Sequence, residues 1–250
     1  MPLVLGLEEG SFGALYGPQP ICRPEVPRYR RILRRAFLLV LIAFLIRTFI
    51  GEAALVPTSS MEGTILVGDH LLLNKFAYGP EVPFLGWHLP RLRTPQRGAI
   101  IAFQYPKDPS LTFLKRVIAV GGDTVEIRDS IVYVNTIPQR EPYAVHRHAT
   151  YFAGALSLHH DDMALRRVPA GELFVLGDNR DNSDDSRFWG TIPVGNVVGE
   201  PLMIVWSYDA PSSAWLNERP GAQIRLYASI AAGFFAHTRW SRTGTLLRFK

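Results

Sequence analysis

Residues 52–207 consist of short β-rich runs. No sustained 3.6-residue period, which would indicate a helix, occurs in this range. Gly, Pro or Asp bounds each run, a pattern typical of strands joined by turns. In residues 124–134, Asp129 and Ser130 separate two alternating runs and predict a β-hairpin. We therefore predict a mostly β fold, with an antiparallel coiled-sheet or barrel-like domain over residues 52–222. The other runs lie at residues 66–74, 98–103, 112–120, 172–176 and 202–207.

The most apolar stretch of the chain, residues 36–46, directly follows a cluster of arginines. Its eleven uncharged residues are fewer than the roughly 20 that an apolar helix needs to cross a bilayer. Extension to Ile32 on one side and Ile50 on the other reaches that length if the arginines snorkel. The alternatives are a secretory signal cleaved near residues 51–54 and a buried amphipathic or core helix. The cluster comprises Arg23, Arg28, Arg30, Arg31, Arg34 and Arg35.

We favour a single transmembrane helix over residues 31–51, preceded by a flexible cytoplasmic lead-in over residues 1–30. The positive-inside rule then places the N-terminus in the cytoplasm and the β domain on the outer face of the membrane. Beside an apolar run, the basic cluster indicates a membrane flank. The predicted partner is therefore a lipid bilayer and not nucleic acid.

Cys22 is the only cysteine, which excludes an intrachain disulfide and a multi-cysteine zinc site. Residues 143–167 are polar and predict a surface insertion. Their histidines and aspartates lack a metal-binding motif, so we predict no metal and no cofactor. For the C-terminal tail, residues 223–250, a docked helix, an interfacial segment and a strand all stay open. The histidines and aspartates are His146, His148, His159, His160, Asp161 and Asp162.

Two segments carry candidate chemistry. Ser60 lies in a Ser/Thr-rich turn at residues 57–64, and Lys115 lies in the apolar run 113–117. Most such turns are only turns, and most strand lysines face solvent. A lysine that is buried among apolar side chains, however, has a lowered pKa, and its neutral amine can act as the general base for a serine hydroxyl.

A third segment, residues 177–190, is dense in Asn, Asp, Ser and Gly and follows a predicted strand. Such a composition indicates a tightly hydrogen-bonded turn. In it, Asp185 and Arg187 can form an ion pair, and Ser183 can offer its hydroxyl to a neighbouring amine.

Taken together, four motifs in order resemble those of bacterial type I signal peptidase, a membrane-bound serine protease family. The resemblance covers about residues 45–207. The motifs are Pro57-Thr-Ser-Ser-Met61, Gly68-Asp-His-Leu-Leu-Leu-Asn-Lys75, Lys115-Arg-Val-Ile-Ala-Val-Gly-Gly-Asp123 and Gly177-Asp-Asn-Arg-Asp-Asn-Ser183, the last continuing through Asp185-Ser-Arg187 to Trp189-Gly190.

The resemblance implies that Ser60 is the nucleophile and Lys115 its general base. It also implies that the Ser60 backbone N–H and the Thr58 hydroxyl form the oxyanion hole, and that Ser183 orients Lys115. Asp185 and Arg187 are implied as structural support.

The implied activity is removal of signal peptides from exported preproteins at the bacterial inner membrane, with cleavage after small residues. An extended peptide would pair with a strand edge near Leu114. The implied walls of the substrate site are Val56, Pro57, Met61, Ile65, Phe113 and Leu114.

Three departures from the family pattern stand out. Gly63 replaces a frequent proline and predicts a looser turn, Ser59 replaces a common glycine and adds a second hydroxyl, and only one anchor is visible. The competing functions are a self-cleaving Ser-Lys protein and an inactive, membrane-anchored binding or assembly protein. Other serine hydrolase sites are disfavoured because the chain contains neither Gly-x-Ser-x-Gly nor Ser-x-x-Lys.

Overall fold

A computed structural model describes residues 27–45, 51–79, 81–82, 87–88, 90–146 and 162–247. The chain divides into two compact units, Met1–Ile42 and Ala43–Lys250. The described strands are β1 (Gly51–Leu55), β2 (Asp69–Asn74), β3 (Glu81–Val82), β4 (Trp87–His88), β5 (Ile100–Tyr105), β6 (Asp108–Val120), β7 (Thr124–Arg128), β8 (Ile131–Val134), β9 (Ile137–Pro138), β10 (Met163–Arg167), β11 (Glu172–Leu176), β12 (Ile192–Pro193) and β13 (Val197–Ser207).

Helix α1 (Arg28–Leu45) opens with five arginines in its first eight residues and becomes apolar from Ala36 onward. Among the residues that the structure describes, no helix is both long enough and apolar enough to span a bilayer. The predicted anchor also extends over residues 46–50, and the predicted lead-in over residues 1–26, which both lie outside the described ranges. The anchor therefore stays a prediction.

The main sheet has seven strands in the order β1-β2-β13-β5-β6-β11-β12, and all its neighbours are antiparallel. The mostly β, antiparallel prediction is thus confirmed. Within the described residues, however, β1 and β12 remain edge strands. The sheet is open, so the barrel-like part of the prediction is wrong.

A second sheet has the order β10-β7-β8-β9. Its β7–β8 hairpin turns at Asp129 and Ser130, whose φ angles of 49° and 63° suit a tight two-residue turn. This confirms the predicted hairpin. Apolar side chains from β7, β8 and β10 pack against the ends of β6 and β11, and this core joins the two sheets.

The predicted insertion, residues 143–167, is shorter than expected at both ends. Met163 is buried and β10 pairs with β7, so residues 163–167 belong to the second sheet. At the other end, Val145 forms a parallel bridge with Asn179. Of the histidines and aspartates predicted to be solvated, His148, His159, His160 and Asp161 lie outside the described residues.

The C-terminal part is helical, which resolves the secondary structure that the sequence left open. The described helices after α1 are α2 (Ser186–Trp189), α3 (Ser212–Trp215) and α4 (Pro220–His237). Leu226 of α4 packs with Tyr208 and Trp215 in a small core of its own. After α4, Leu246 forms an antiparallel bridge with Met203 of β13.

Candidate active site

Ser60 lies in a turn between two buried anchors. Val56 and Met61 belong to a core that packs onto β2 and β5, so the chain on both sides of Ser60 is fixed. Three backbone bonds close the turn, from Glu62 N to Ser59 O at 3.0 Å and to Met61 O from Thr64 N at 3.1 Å and from Ile65 N at 2.9 Å. The Ser60 side chain itself is half-buried.

Gly63 gives this turn a conformation that proline cannot adopt. Its φ is +113°, far from the value near −65° that a proline ring imposes. A Cβ at this position would also lie 2.7 Å from Val145 Cγ2. A glycine with a positive φ therefore shapes this turn at the position where the family pattern often has a proline. The backbone of the turn is hydrogen-bonded and packed against Val145, and the looser turn stays a prediction.

Lys115 lies within the long strand β6 and is 3% exposed. Its Nζ donates a hydrogen bond to Ser183 Oγ at 3.0 Å. Burial lowers the pKa of the Lys115 amine to about 8, while the nearby carboxylates of Asp185 and Asp184 oppose that shift. At pH 7 about a tenth of the amine is therefore neutral, far more than for a lysine with an ordinary pKa.

Asp185 fixes the hydroxyl that receives the Lys115 bond. Ser183 Oγ donates to Asp185 Oδ2 at 2.7 Å, and the Arg187 Nε donates to the other carboxylate oxygen at 2.8 Å. Asp185 is fully buried and also accepts from the backbone N–H of Gly177. The ion pair between Asp185 and Arg187 that the sequence suggested is confirmed. It fixes the Asp185 carboxylate, and that carboxylate in turn fixes the Ser183 hydroxyl.

Gly177 brings the two serine segments together. A Cβ on this residue would lie 2.2 Å from Ser183 Oγ and 2.5 Å from the Ser60 carbonyl oxygen. Asn179 N also donates to Ser60 O at 3.1 Å. Only a residue without a side chain permits this approach, so the position of Ser60 relative to Ser183 depends on a glycine.

Ser60 and Lys115 line one cleft of about 570 Å³. Among the hydrogen bonds of the described residues, that of Lys115 Nζ goes to Ser183, and none joins it to Ser60 Oγ. The second hydroxyl in the turn is engaged elsewhere, because Ser59 Oγ accepts from Asn182 Nδ2 at 2.6 Å. The exposed Thr58 lines the same cleft.

Five of the six residues predicted as substrate walls line this cleft. The exception is Ile65, which is fully buried in the core beneath Met61 and does not reach the cleft surface. The sequence did not identify the rest of the lining. The five predicted residues are Val56, Pro57, Met61, Phe113 and Leu114, and the additional ones are Ala54, Leu55, Ser59, Leu71, Leu73, Ala102, Leu111, Thr112, Asn182, Asp184, Ser212 and Leu216.

A buried ion pair next to the site was also missed. Arg116 makes two bonds to Asp178, Nε to Oδ1 at 2.8 Å and Nη2 to Oδ2 at 2.6 Å, and both side chains are almost fully buried. Thr64 Oγ1 donates to the same carboxylate at 2.6 Å. The sequence offered one signal for this ion pair: Asp178 and Arg116, which have opposite charges, directly follow Gly177 and Lys115.

The first residues of the predicted insertion, together with Glu141 just before it, cover this ion pair. The Arg116 guanidinium lies 3.8 Å from the centre of the Tyr143 ring. Glu141 accepts two bonds from Arg180, at 2.7 and 2.8 Å, and Val145 N donates to Asp178 O at 2.7 Å. Residues 141–145 thus tie the root of the insertion to the loop that carries Ser183.

Comparison with known proteins matches the sequence of this chain to one family. A family model described as signal peptidase, peptidase S26, matches residues 29–206. The signal peptidase I of Aquifex aeolicus is 33% identical over 80% of this chain and 94% of its own length. That of Pseudomonas aeruginosa is 34% identical over 70% of this chain and 72% of its own length.

Among solved structures, a crystal structure of a signal peptidase I from Enterococcus faecalis is 36% identical. The match covers 43% of this chain and 97% of the chain in the crystal structure, with a TM-score of 0.36.

The matched range contains all four sequence motifs. The resemblance inferred from those motifs is confirmed, and membership of this family supports a role in removing signal peptides. The chain belongs to the signal peptidase family, peptidase S26, and is a serine endopeptidase.

Proposed function

We propose that the protein is a membrane-anchored endopeptidase that removes signal peptides from exported preproteins by a Ser60–Lys115 acyl-enzyme mechanism. One observation carries the proposal. A buried lysine with a lowered pKa shares a cleft with the serine that the family motif marks as nucleophile. Neither the self-cleaving nor the inactive alternative has a comparable observation in its favour.

The role of Ser183 follows from the direction of its hydrogen bonds. Its proton is donated to Asp185, so its oxygen can only accept from Lys115. A neutral amine that donates one N–H to Ser183 keeps its lone pair, and that lone pair is available for the Ser60 hydroxyl. Bonds between catalytic groups are often long before substrate binds and tighten in the complex.

In the first step, Ser60 Oγ attacks the scissile carbonyl carbon, and Lys115 Nζ takes the hydroxyl proton. Lys115 then returns that proton to the leaving amine as the peptide bond breaks, which leaves an acyl-enzyme. In the second step, Lys115 takes a proton from the attacking water, and Ser60 leaves with that proton. The Ser60 N–H and the Thr58 hydroxyl stabilise the oxyanion, each contributing about 3 kcal/mol.

Cleavage after small residues is supported by the apolar walls of the cleft. We expect purified protein in detergent to cut a preprotein with alanine at the first and third positions before the bond. Phenylalanine at the first position should lower kcat/KM by about 10- to 200-fold, because its side chain exceeds a shallow pocket. Mass spectrometry of the products reports the cut site. Equal rates for the two substrates would contradict this specificity.

The pH profile should report the Lys115 amine. Only the neutral amine accepts a proton, so activity should fall as pH drops below its pKa of about 8. The expected loss is roughly tenfold per pH unit on the acid side. Measurement of kcat/KM between pH 5 and 9, roughly the range in which such groups titrate, checks this. A flat profile would exclude the lysine as base.

Asp184 offers a matched test of the same group. It lines the cleft, and its negative charge favours the protonated amine of Lys115. Asp184→Asn should therefore lower the pKa of Lys115 and move the acid limb of the profile to lower pH. Asp108→Asn, at an exposed aspartate of β6, should leave the limb where it is.

Membrane attachment is the remaining part of the proposal. It is supported by the arginine-rich start of α1 and by the apolar residues 36–46 that follow. In bacterial cells, the protein should resist extraction from the inner membrane by alkaline carbonate. N-terminal sequencing should find residues 31–51 retained, and a mature chain that begins near Ala53 would favour the cleaved-signal alternative.

A further inference from the structure

Helix α4 is apolar on both of its sides. One side packs on the protein through Leu226 and Ile230, which contact the core around Tyr208 and Trp215. The opposite side carries Ile224 and Phe235, which are 69% and 81% exposed. A helix that is hydrophobic all round normally has both faces covered, and here only one is covered within the described part of the chain.

Aromatic rings extend this exposed side beyond the end of α4. The Phe235 ring stacks on Trp240, with centroids 6.1 Å apart and an interplanar angle of 26°. Phe234 meets both rings edge-on, and Trp240 Nε1 donates to the Phe235 carbonyl oxygen at 3.2 Å. The rings are therefore held in place before any partner binds. Tryptophan in such a position favours the headgroup region of a bilayer.

Helix α4 and the residues after it carry basic side chains and no acidic ones, while the exposed acidic residues Asp209 and Glu218 lie before the helix. Residues 219–250 contain no aspartate or glutamate. Arg242 is bound to Asp69, and Arg239 is bound to backbone carbonyls, whereas Arg219 and Arg225 are exposed beside the apolar face. A basic border around an apolar face complements anionic lipid headgroups. The same charges on two copies of this surface would repel each other.

The surface also lies next to the cleft. Helix α3 packs against α4, and Ser212 of α3 and Leu216 line the cleft that contains Ser60. Leu216 is 55% exposed. A bilayer that covers the outer side of α4 would thus bring the lipid surface close to one wall of the cleft.

We propose that α4 and Trp240 form an interfacial membrane-binding surface that inserts its apolar side into the headgroup region of an anionic bilayer. This contact is separate from the anchor of residues 31–51 and goes beyond the proposed peptidase function. It would hold the cleft at the depth where the apolar segment of a membrane-bound substrate ends.

The test uses the full chain reconstituted in vesicles of phosphatidylglycerol and phosphatidylcholine. In a Cys22→Ser background, Phe235→Cys is labelled with an environment-sensitive fluorophore. Ile137→Cys, at a 64% exposed residue of β9, is the matched control. The label at position 235 should shift to shorter wavelength and be quenched by lipids brominated near the headgroup, whereas the label at position 137 should show neither change.

Equal behaviour of the two labels would overturn the proposal. A label at position 235 that is shielded from water, untouched by lipid quenchers and increasingly shielded at higher protein-to-lipid ratios would assign the face to a second copy, which also overturns it. Arg225→Gln should lower the inserted-to-free ratio about fivefold on anionic vesicles, with no effect on phosphatidylcholine alone.

Peptidase activity separates this proposal from the proposed function. The double variant Phe235→Ser, Trp240→Ser should cut a short soluble peptide in detergent at the wild-type rate, because neither residue lines the cleft. A label at Ile224→Cys, a 69% exposed residue of the same face, should be quenched by lipid in the otherwise unchanged chain and should lose that quenching in the double variant. Persistent quenching in the double variant would contradict insertion through these rings.

Discussion

Lys115→Ala is expected to abolish preprotein cleavage, lowering kcat/KM by a factor on the order of 10⁴ or more. The variant removes the group that takes the Ser60 proton, that returns it to the leaving amine and that activates water in the second step. No other amine lines the cleft among the described residues. Ser60→Ala should lower kcat/KM to the same residual value. The double variant should lower it no further, because the effects of substitutions at residues that act as a unit are not additive.

Three matched variants make this prediction specific. Lys115→Met keeps most of the side-chain volume and should be as inactive as alanine, which excludes a cavity as the cause. Lys107→Ala removes an exposed lysine in the turn before β6 and should keep full activity. Ser59→Ala removes the neighbouring hydroxyl, which is bound to Asn182, and should cost far less than Ser60→Ala.

Thermal unfolding distinguishes a chemical defect from a folding defect. Burial of an amine is unfavourable, so Lys115→Met should not lower the melting temperature. Cleavage by Lys115→Met at more than about one hundredth of the wild-type rate would remove the lysine from the mechanism. A Ser59→Ala variant as inactive as Ser60→Ala would reopen the identity of the nucleophile.

The second large effect concerns stability. Asp178→Ala or Arg116→Met should each lower the free energy of unfolding by about 3–5 kcal/mol, because each leaves the opposite charge buried without its partner. Asp178→Ala also deprives the Thr64 hydroxyl of its acceptor. Denaturant unfolding measures both losses.

The double replacement Arg116→Met, Asp178→Leu should recover much of this loss, since no isolated charge remains. An exposed ion pair provides the control. Arg128 and Glu126 lie 2.9 Å apart with side chains 55% and 24% exposed, and Glu126→Ala should cost less than about 1 kcal/mol. Single variants at Arg116 and Asp178 as mild as Glu126→Ala would show that the buried pair is not structural.

The parts of the fold that follow local rules were predictable from the sequence. The β7–β8 turn needs two residues that tolerate positive φ, and Asp129 and Ser130 stand between two alternating apolar runs. Motif order likewise pointed to Ser60, Lys115 and Ser183. The structure places Ser60 and Lys115 on one cleft and bonds Lys115 to Ser183, although the residues are far apart in the chain.

The remaining features depend on long-range packing. Ile65 is apolar, as a residue in a pocket wall would be, but the turn at Gly63 directs its side chain into the core. The need for glycine at position 177 appears only when Ser183 and the Ser60 carbonyl meet around it. The sequence of helix α4 lacked a helical signature because the two sides of the helix are equally apolar. Strand β10, which pairs with β7, lies within residues that the sequence predicted to be one polar insertion.

The tie between residues 141–145 and the Asp178–Arg180 loop has a consequence for how this chain can vary. Glu141 and Val145 hold one end of the segment that leads to residue 162, and the pairing of β10 with β7 holds the other. The contacts at the two ends have different partners, so a substitution at one end leaves the other end in place. Loss of the Glu141 carboxylate should therefore loosen the Asp178–Arg180 loop beside Ser183 and leave the pairing of β10 with β7 unchanged.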